Sequence, residues 1–301
     1  MNKRNKAAFR TSKGDRVFNI VVTAIVILLA LIVLLPMINI VACSFSAPSA
    51  VSSGKVLLWP VNFTLENYKL VLQYEDVWIG YRNTIFYTVA GTLINVFMTL
   101  ICAYPLSVKS FSGRHFLNKM FMFTMIFSGG MIANYILMRD LKLINTIWAV
   151  LLPGAINVYN VMITRTYIET SIPRDLEESA RIDGCSYFMY FLKFVLPLAK
   201  PIIAVIAMYY AVAHWNSYFS AFLYLSDDNL YPLQLFLREI LINSQMDGGG
   251  ITDPEMLMAM QGISNALKYV VIVVSTFPLM CIYPFVQKYF VKGVMIGAVK
   301  G

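Results

Sequence analysis

The sequence predicts an all-α polytopic membrane protein with six transmembrane helices and cytoplasmic N- and C-termini. Three observations predict it. The composition is 58% hydrophobic and only 13% charged over 301 residues, whereas soluble domains carry roughly 25% charged residues. Six apolar stretches are each long enough to cross a hydrocarbon core of ~30 Å, which takes about 20 residues of helix. The basic residues, finally, divide very unequally between the intervening loops.

The elements follow in chain order. Residues 1–16 form a basic arm holding Lys3, Arg4, Lys6, Arg10, Lys13 and Arg16, and the first span covers 17–43. Its apolar run exceeds the ~7–15 residues of a signal-peptide core, so the helix is expected to be retained. An external loop, 45–81, carries Trp59, Tyr74, Trp78 and Tyr81, residues suited to the membrane–water boundary. Spans two, three and four are expected at 83–108, 118–138 and 144–164, and the longest internal loop at 165–200. Span five covers 201–225, a second external loop 226–266, and span six 267–287. The membrane domain thus runs 17–290, and 291–301 is a cytoplasmic tail. Pro36, Pro105, Pro153 and Pro278 lie within or near span ends, where neighbouring helices can satisfy the freed carbonyls.

With the N-terminus inside, 17 of the 24 Lys and Arg fall on the inner side, with six of the 16 acids. The inside then carries +11 and the outside −3, which together give the net +8. That asymmetry obeys the positive-inside rule. The basic surplus is a topology signal, and no nucleic-acid partner is expected.

Several chemistries are excluded. Four Cys and two His leave no metal set. Gly248-Gly249-Gly250 is followed by no GK[ST], so the chain has no nucleotide-binding loop. No HExxH or GxSxG is present, so no catalytic residue is expected and an intramembrane enzyme is disfavoured. The spans hold almost no acid, which argues against an ion relay.

The internal loop carries the most information. Pro173 suits a helix start, and Asp175, Glu177 and Glu178 crowd its positive end. Leu176 and Ala180 fall four apart on one face, Ser179 and Ala180 are small, and Gly184 is a natural stop. From these residues alone, a docking element and an amphipathic helix lying on headgroups stand level. A second amphipathic stretch runs from Tyr187 to Leu196 before Pro197 and Pro201.

Glu178-Ser179-Ala180, three residues, Gly184, nine residues, then Phe194-Val195-Leu196-Pro197 resembles the EAA signature of binding-protein-dependent ABC permeases. Ser179 and Phe194 stand where that signature has Ala and Ile. Asp183-Gly184 is the form typical of its sugar importers. The C-terminal Gln287-Lys288-Tyr289 and Gly297-Ala298-Val299-Lys300-Gly301 look like the tail of maltose-type permeases of the MalG class, and Asn67-Tyr68, Asn83-Thr84 and Trp215-Asn216 also fit that class.

The resemblance implies a non-catalytic transport subunit in the bacterial cytoplasmic membrane. It would pair with a second permease, two cytoplasmic ATPases that hold ATP and Mg, and an external sugar-binding protein. It implies that Leu176, Glu178, Ser179, Ala180, Asp183, Gly184, Leu196 and Pro197 couple to the ATPase. Gly297, Val299, Lys300 and Gly301 would reach between the ATPases. The candidate sugar path is Tyr209, Tyr210, Trp215, Asn216 and Tyr218 in span five, with His214 beside them. Asn95 and Asn134 are expected to bond across helices. A permease for peptides or amino acids would keep this architecture and change the cargo.

Overall fold

The computed structural model describes residues 13–246 and 254–298, and the regular structure among them is helical. Two units divide the chain, one formed by 1–70 with 244–273 and the other by 71–243 with 274–301.

In the first unit, helix α1 (Lys13–Ser44) is a 32-residue rod whose apolar window has no buried residue. Its far end is the exception. Ala42 and Cys43 pack with Ala50 and Val56, and Tyr269 closes the cluster. Phe45 stacks on Phe63 and Tyr68, with centroids 5.6 and 4.9 Å away. The buried Asn67 amide donates to the Ser46 carbonyl at 3.2 Å. The loop after span one is therefore ordered by hydrogen bonds and stacked rings, and a short helix, Glu66–Gln73, ends it.

In the second unit, α2 (Glu75–Ser107) is the central post. After it come α3 (Arg114–Ile126) and α4 (Gly130–Asp140), which meet at 113°. The expected third span, 118–138, is thus two pieces. Ser128-Gly129-Gly130 makes the corner, with Gly130 at φ +78°. The expected fourth span, 144–164, also differs. A single turn, Trp148–Leu151, stops before Pro153-Gly154, and α5 (Val158–Ser171) starts anew under the Asn157 side chain, which accepts the Asn160 N–H. Proline removes a donor, glycine loosens the backbone and asparagine caps the next helix, so the apolar run does not fold as one rod.

Helix α6 (Arg174–Ile182) follows on the internal loop. A continuous stretch, Tyr187–Leu198, then widens into a π-helix at Phe191–Val195. Pro197 has no N–H for the Lys193 carbonyl, and its ring crowds that turn, which accounts for the widening. After a 78° bend comes α7 (Lys200–Trp215), which packs along α2, as does α5. The fifth span breaks at Asn216 and resumes as α8 (Phe219–Tyr224).

The outer end of α2 holds the next segment by its polar residues. Asn83 donates to the carbonyls of Asn229 and Tyr231 at 2.7 and 2.9 Å, Tyr87 to Leu230 at 2.8 Å, and Thr84 accepts the Leu233 N–H at 2.8 Å. A Cβ on Gly80 would stand 2.8 Å from the Leu233 Cα, so only glycine admits this approach. That staple sets the start of α9 (Leu233–Met246). The last helix, α10 (Pro254–Ala298), is 45 residues long and contains the expected sixth span. Among the described residues, three helices are long and apolar enough to cross a membrane, or up to five if each bent pair is one span.

Candidate functional site

Helix α6 starts one residue after the position expected, with Pro173 as its extended N-cap. Asp175 and Glu177 fill the first turn, where acids meet unpaired N–H groups. The other end closes as a Schellman motif. Gly184, at φ +76°, donates to the Arg181 carbonyl at 3.1 Å and Cys185 to the Ala180 carbonyl at 2.9 Å.

The amphipathicity has a direction. Ala180, 6% exposed, is packed with Ala103 and Leu106 of α2, Ile168 of α5, and Tyr190 and Val195, and Leu176 lies against the same cluster. These two residues therefore fasten the helix to its own chain. The close approach that a small Ala180 permits is made by this chain's own side chains, while Asp175, Glu178, Ser179 and Asp183 are exposed. Ile182 is 87% exposed. It escapes a reading of apolar periodicity because it lies two positions from Ala180, on the polar side. An isolated aliphatic residue there is the signal that identifies it. The Ser179 hydroxyl is committed to the Asp175 carbonyl at 2.8 Å.

The root of the helix is braced by polar and ring contacts. Arg181 lies 5.0 Å over the Tyr187 ring, and Tyr187 bonds Ser110 through its hydroxyl at 3.1 Å. Glu169 on α5 pairs with both Arg114 and Arg165, and Arg165 also donates to Asn118 at 2.9 Å, which ties α3 to α5. A cavity of about 200 Å³ opens beside this root between Tyr104, Lys109, Glu177 and Arg181. Leu196 is half-buried and Pro197 exposed, immediately after the π-turn. Among the tail residues, Gly297 is the penultimate residue of α10; Val299, Lys300 and Gly301 lie outside the described residues.

The span-five candidates part company. The Tyr210 hydroxyl is buried between Thr99, at 2.8 Å, and the Asn157 N–H, at 3.3 Å. Trp215 donates its indole N–H to the Ser275 carbonyl at 2.9 Å. Both are spent on packing. Tyr209, Asn216 and Tyr218 remain accessible. Asn95 bonds across elements, donating to the Gly154 carbonyl at 2.8 Å, with His214 Nε2 3.4 Å from its oxygen.

The profile of the family described as "Binding-protein-dependent transport system inner membrane component" matches residues 77–296. The chain belongs to this family. Among its relatives, the polygalacturonan/rhamnogalacturonan transport system permease protein YtcP of Bacillus subtilis (strain 168) is 39% identical over 95% of this chain and 99% of its own. Protein LplC of the same organism is 40% identical over 96% of this chain and 97% of its own. A chain in the crystal structure of a bacterial ABC transporter involved in the import of the acidic polysaccharide alginate superposes with a TM-score of 0.79 at 35% identity, covering 93% of this chain and 98% of that one. This permease is accordingly a multi-pass transport component of the bacterial plasma membrane.

Proposed function

We propose that this permease forms half of the translocation path of an ATP-driven ABC importer for an oligosaccharide. In this reading it crosses the membrane six times with both termini in the cytoplasm, a bent or broken pair of helices serving as a span where no single helix is long enough. It works beside a second permease, with two ATPases that hold ATP and Mg and an external binding protein that delivers the cargo. The saccharide cargo is carried over from YtcP and the alginate importer, whose names give polygalacturonan, rhamnogalacturonan and alginate.

The observation that carries the coupling role is the two-sidedness of α6. Leu176 and Ala180 lock it to α2 and α5, and Glu178, Asp183 and Ile182 are left outside. A rigid handle of this kind transmits movement because the helix and its bundle shift together. Switching needs a contact whose energy differs between two states, and an exposed aliphatic knob entering a partner's pocket supplies one.

Uptake in cells lacking and then regaining this chain tests the cargo. Labelled oligosaccharide uptake should vanish and return with it, and labelled peptide uptake should not change. Loss of peptide uptake with oligosaccharide uptake intact would put the chain among the peptide permeases.

A further inference from the structure

Arg238 sits half-buried on α9, above two rings of the broken fifth span. Its guanidinium carbon is 5.2 Å from the Tyr218 ring centroid and 4.9 Å from that of Phe222. The rings come from positions four apart around the start of α8, and their exposures are 39% and 56%. A guanidinium over ring faces is held by the ring quadrupole. Its N–H donors lie in its own plane, so ring contact through its face does not consume them.

Three of the other arginines show the contrast. Arg114 and Arg165 are spent on Glu169, and Arg139 on Asp140. Among the described residues, no carboxylate lies within ion-pair distance of Arg238. The next residue, Glu239, is turned about 100° away around the helix and interacts with Asp228 and Asp76. The result is an oriented cation, with no carboxylate partner among the described residues, beside partly exposed aromatic rings on the side proposed to be external.

Those groups complement one ligand chemistry. The fork takes a carboxylate in two parallel hydrogen bonds, and the C–H face of a pyranose lies on a ring. We propose that Arg238, with Tyr218 and Phe222, is a cargo-contacting site that selects a carboxylate-bearing oligosaccharide. The proposal rests on the saccharide reading above and names the class of sugar. Of the path candidates legible in the sequence it keeps Tyr218, and it adds a residue on another element. The competing occupant is an anionic lipid headgroup, since arginine and aromatic residues also gather at membrane surfaces.

The test uses the complete importer in proteoliposomes with its own ATPase, second permease and loaded binding protein. The probes are trigalacturonate and its methyl ester, which share rings and linkages and differ in charge. Wild type should take up the acid in preference to the ester. Arg238→Gln should cut acid uptake roughly ten- to hundred-fold, the range for losing a charged hydrogen-bond partner, and leave ester uptake and complex yield unchanged. Arg238→Lys, a point charge without the fork, should fall between. Unchanged acid uptake in Arg238→Gln, an equal loss for acid and ester, or a wild type indifferent to the charge would each overturn the site. So would a defect that disappears in liposomes of phosphatidylcholine alone, which would assign the arginine to a headgroup. If wild type imports no saccharide at all, the cargo reading itself has failed.

Discussion

Gly184 closes the end of α6 at φ +76°, and a Cβ built on it would have nothing within 4 Å. The requirement is therefore conformational, since space is available. Gly184→Val forces a β-branched residue into the left-handed region at a cost of about 1–2 kcal/mol and undoes both closing hydrogen bonds. Oligosaccharide uptake should fall several-fold with membrane insertion intact. Gly184→Asn, a residue that tolerates this region, should retain most of it, and equal uptake by all three proteins would remove Gly184 from the mechanism. Such a residue is legible in sequence because glycine after a short amphipathic run has few other uses. Ile182 is legible only against the face that Leu176 and Ala180 set, where it falls alone on the polar side. Glu239 offers a pH test. Burial, then the carboxylates of Asp228 and Asp76, pushes its carboxyl above the usual range. The fold thus favours the protonated acid. This contribution is fully present below the unfolded value of about 4.3 and is lost as pH rises through the folded one. Glu239→Gln should raise the melting temperature at pH 7 and bring no gain at pH 4; a gain of equal size at both would disprove the shift.

Between elements, the seam of α2 and α7 turns on Gly91. A Cβ there would lie 2.4 Å from His214 Nε2, a contact that only displacement relieves. Gly91→Leu should cost about 1–3 kcal/mol, the range for overpacking, read as a lower melting temperature of the purified complex. His214→Ala opens that space, so the double variant should be less destabilised than the single effects predict; strict additivity would refute the contact. The same scale shows where sequence reading stopped. Asn83 and Thr84 stand out in the sequence as a polar pair at a span entry, but the loop they staple is 146 residues away in the chain. Apolarity over 118–138 and 144–164 resembles two straight rods, although Gly129-Gly130 and Pro153-Gly154 already mark the breaks. Hydropathy reports the surroundings of a segment, and these dipeptides report its backbone. Tyr210 and Trp215 are legible as polar aromatics in a span; only the fold reveals that the Tyr210 hydroxyl is spent on Thr99 and the Trp215 N–H on Ser275.

For the molecule as a whole, the charge asymmetry and the family agree on a membrane transport component, and α1, with no buried residue in its apolar window, needs lipid or a neighbouring subunit to cover it. The proposed six-span topology is testable with single cysteines in a background freed of the four native ones. A cysteine at Lys55 should react with a membrane-impermeant maleimide on intact cells, and one at Ser112 only after permeabilisation; the reverse pattern would invert the topology. In the proposed coupling, α6 hands the ATPase's movement to the bundle through its outward face. The measurement that tests it most directly is the amount of ATPase subunit that co-purifies with the Ile182→Glu permease, normalised to inserted permease. A loss of tenfold or more, with insertion at the wild-type level, is the expected result. Full retention of the ATPase with uptake intact would contradict it.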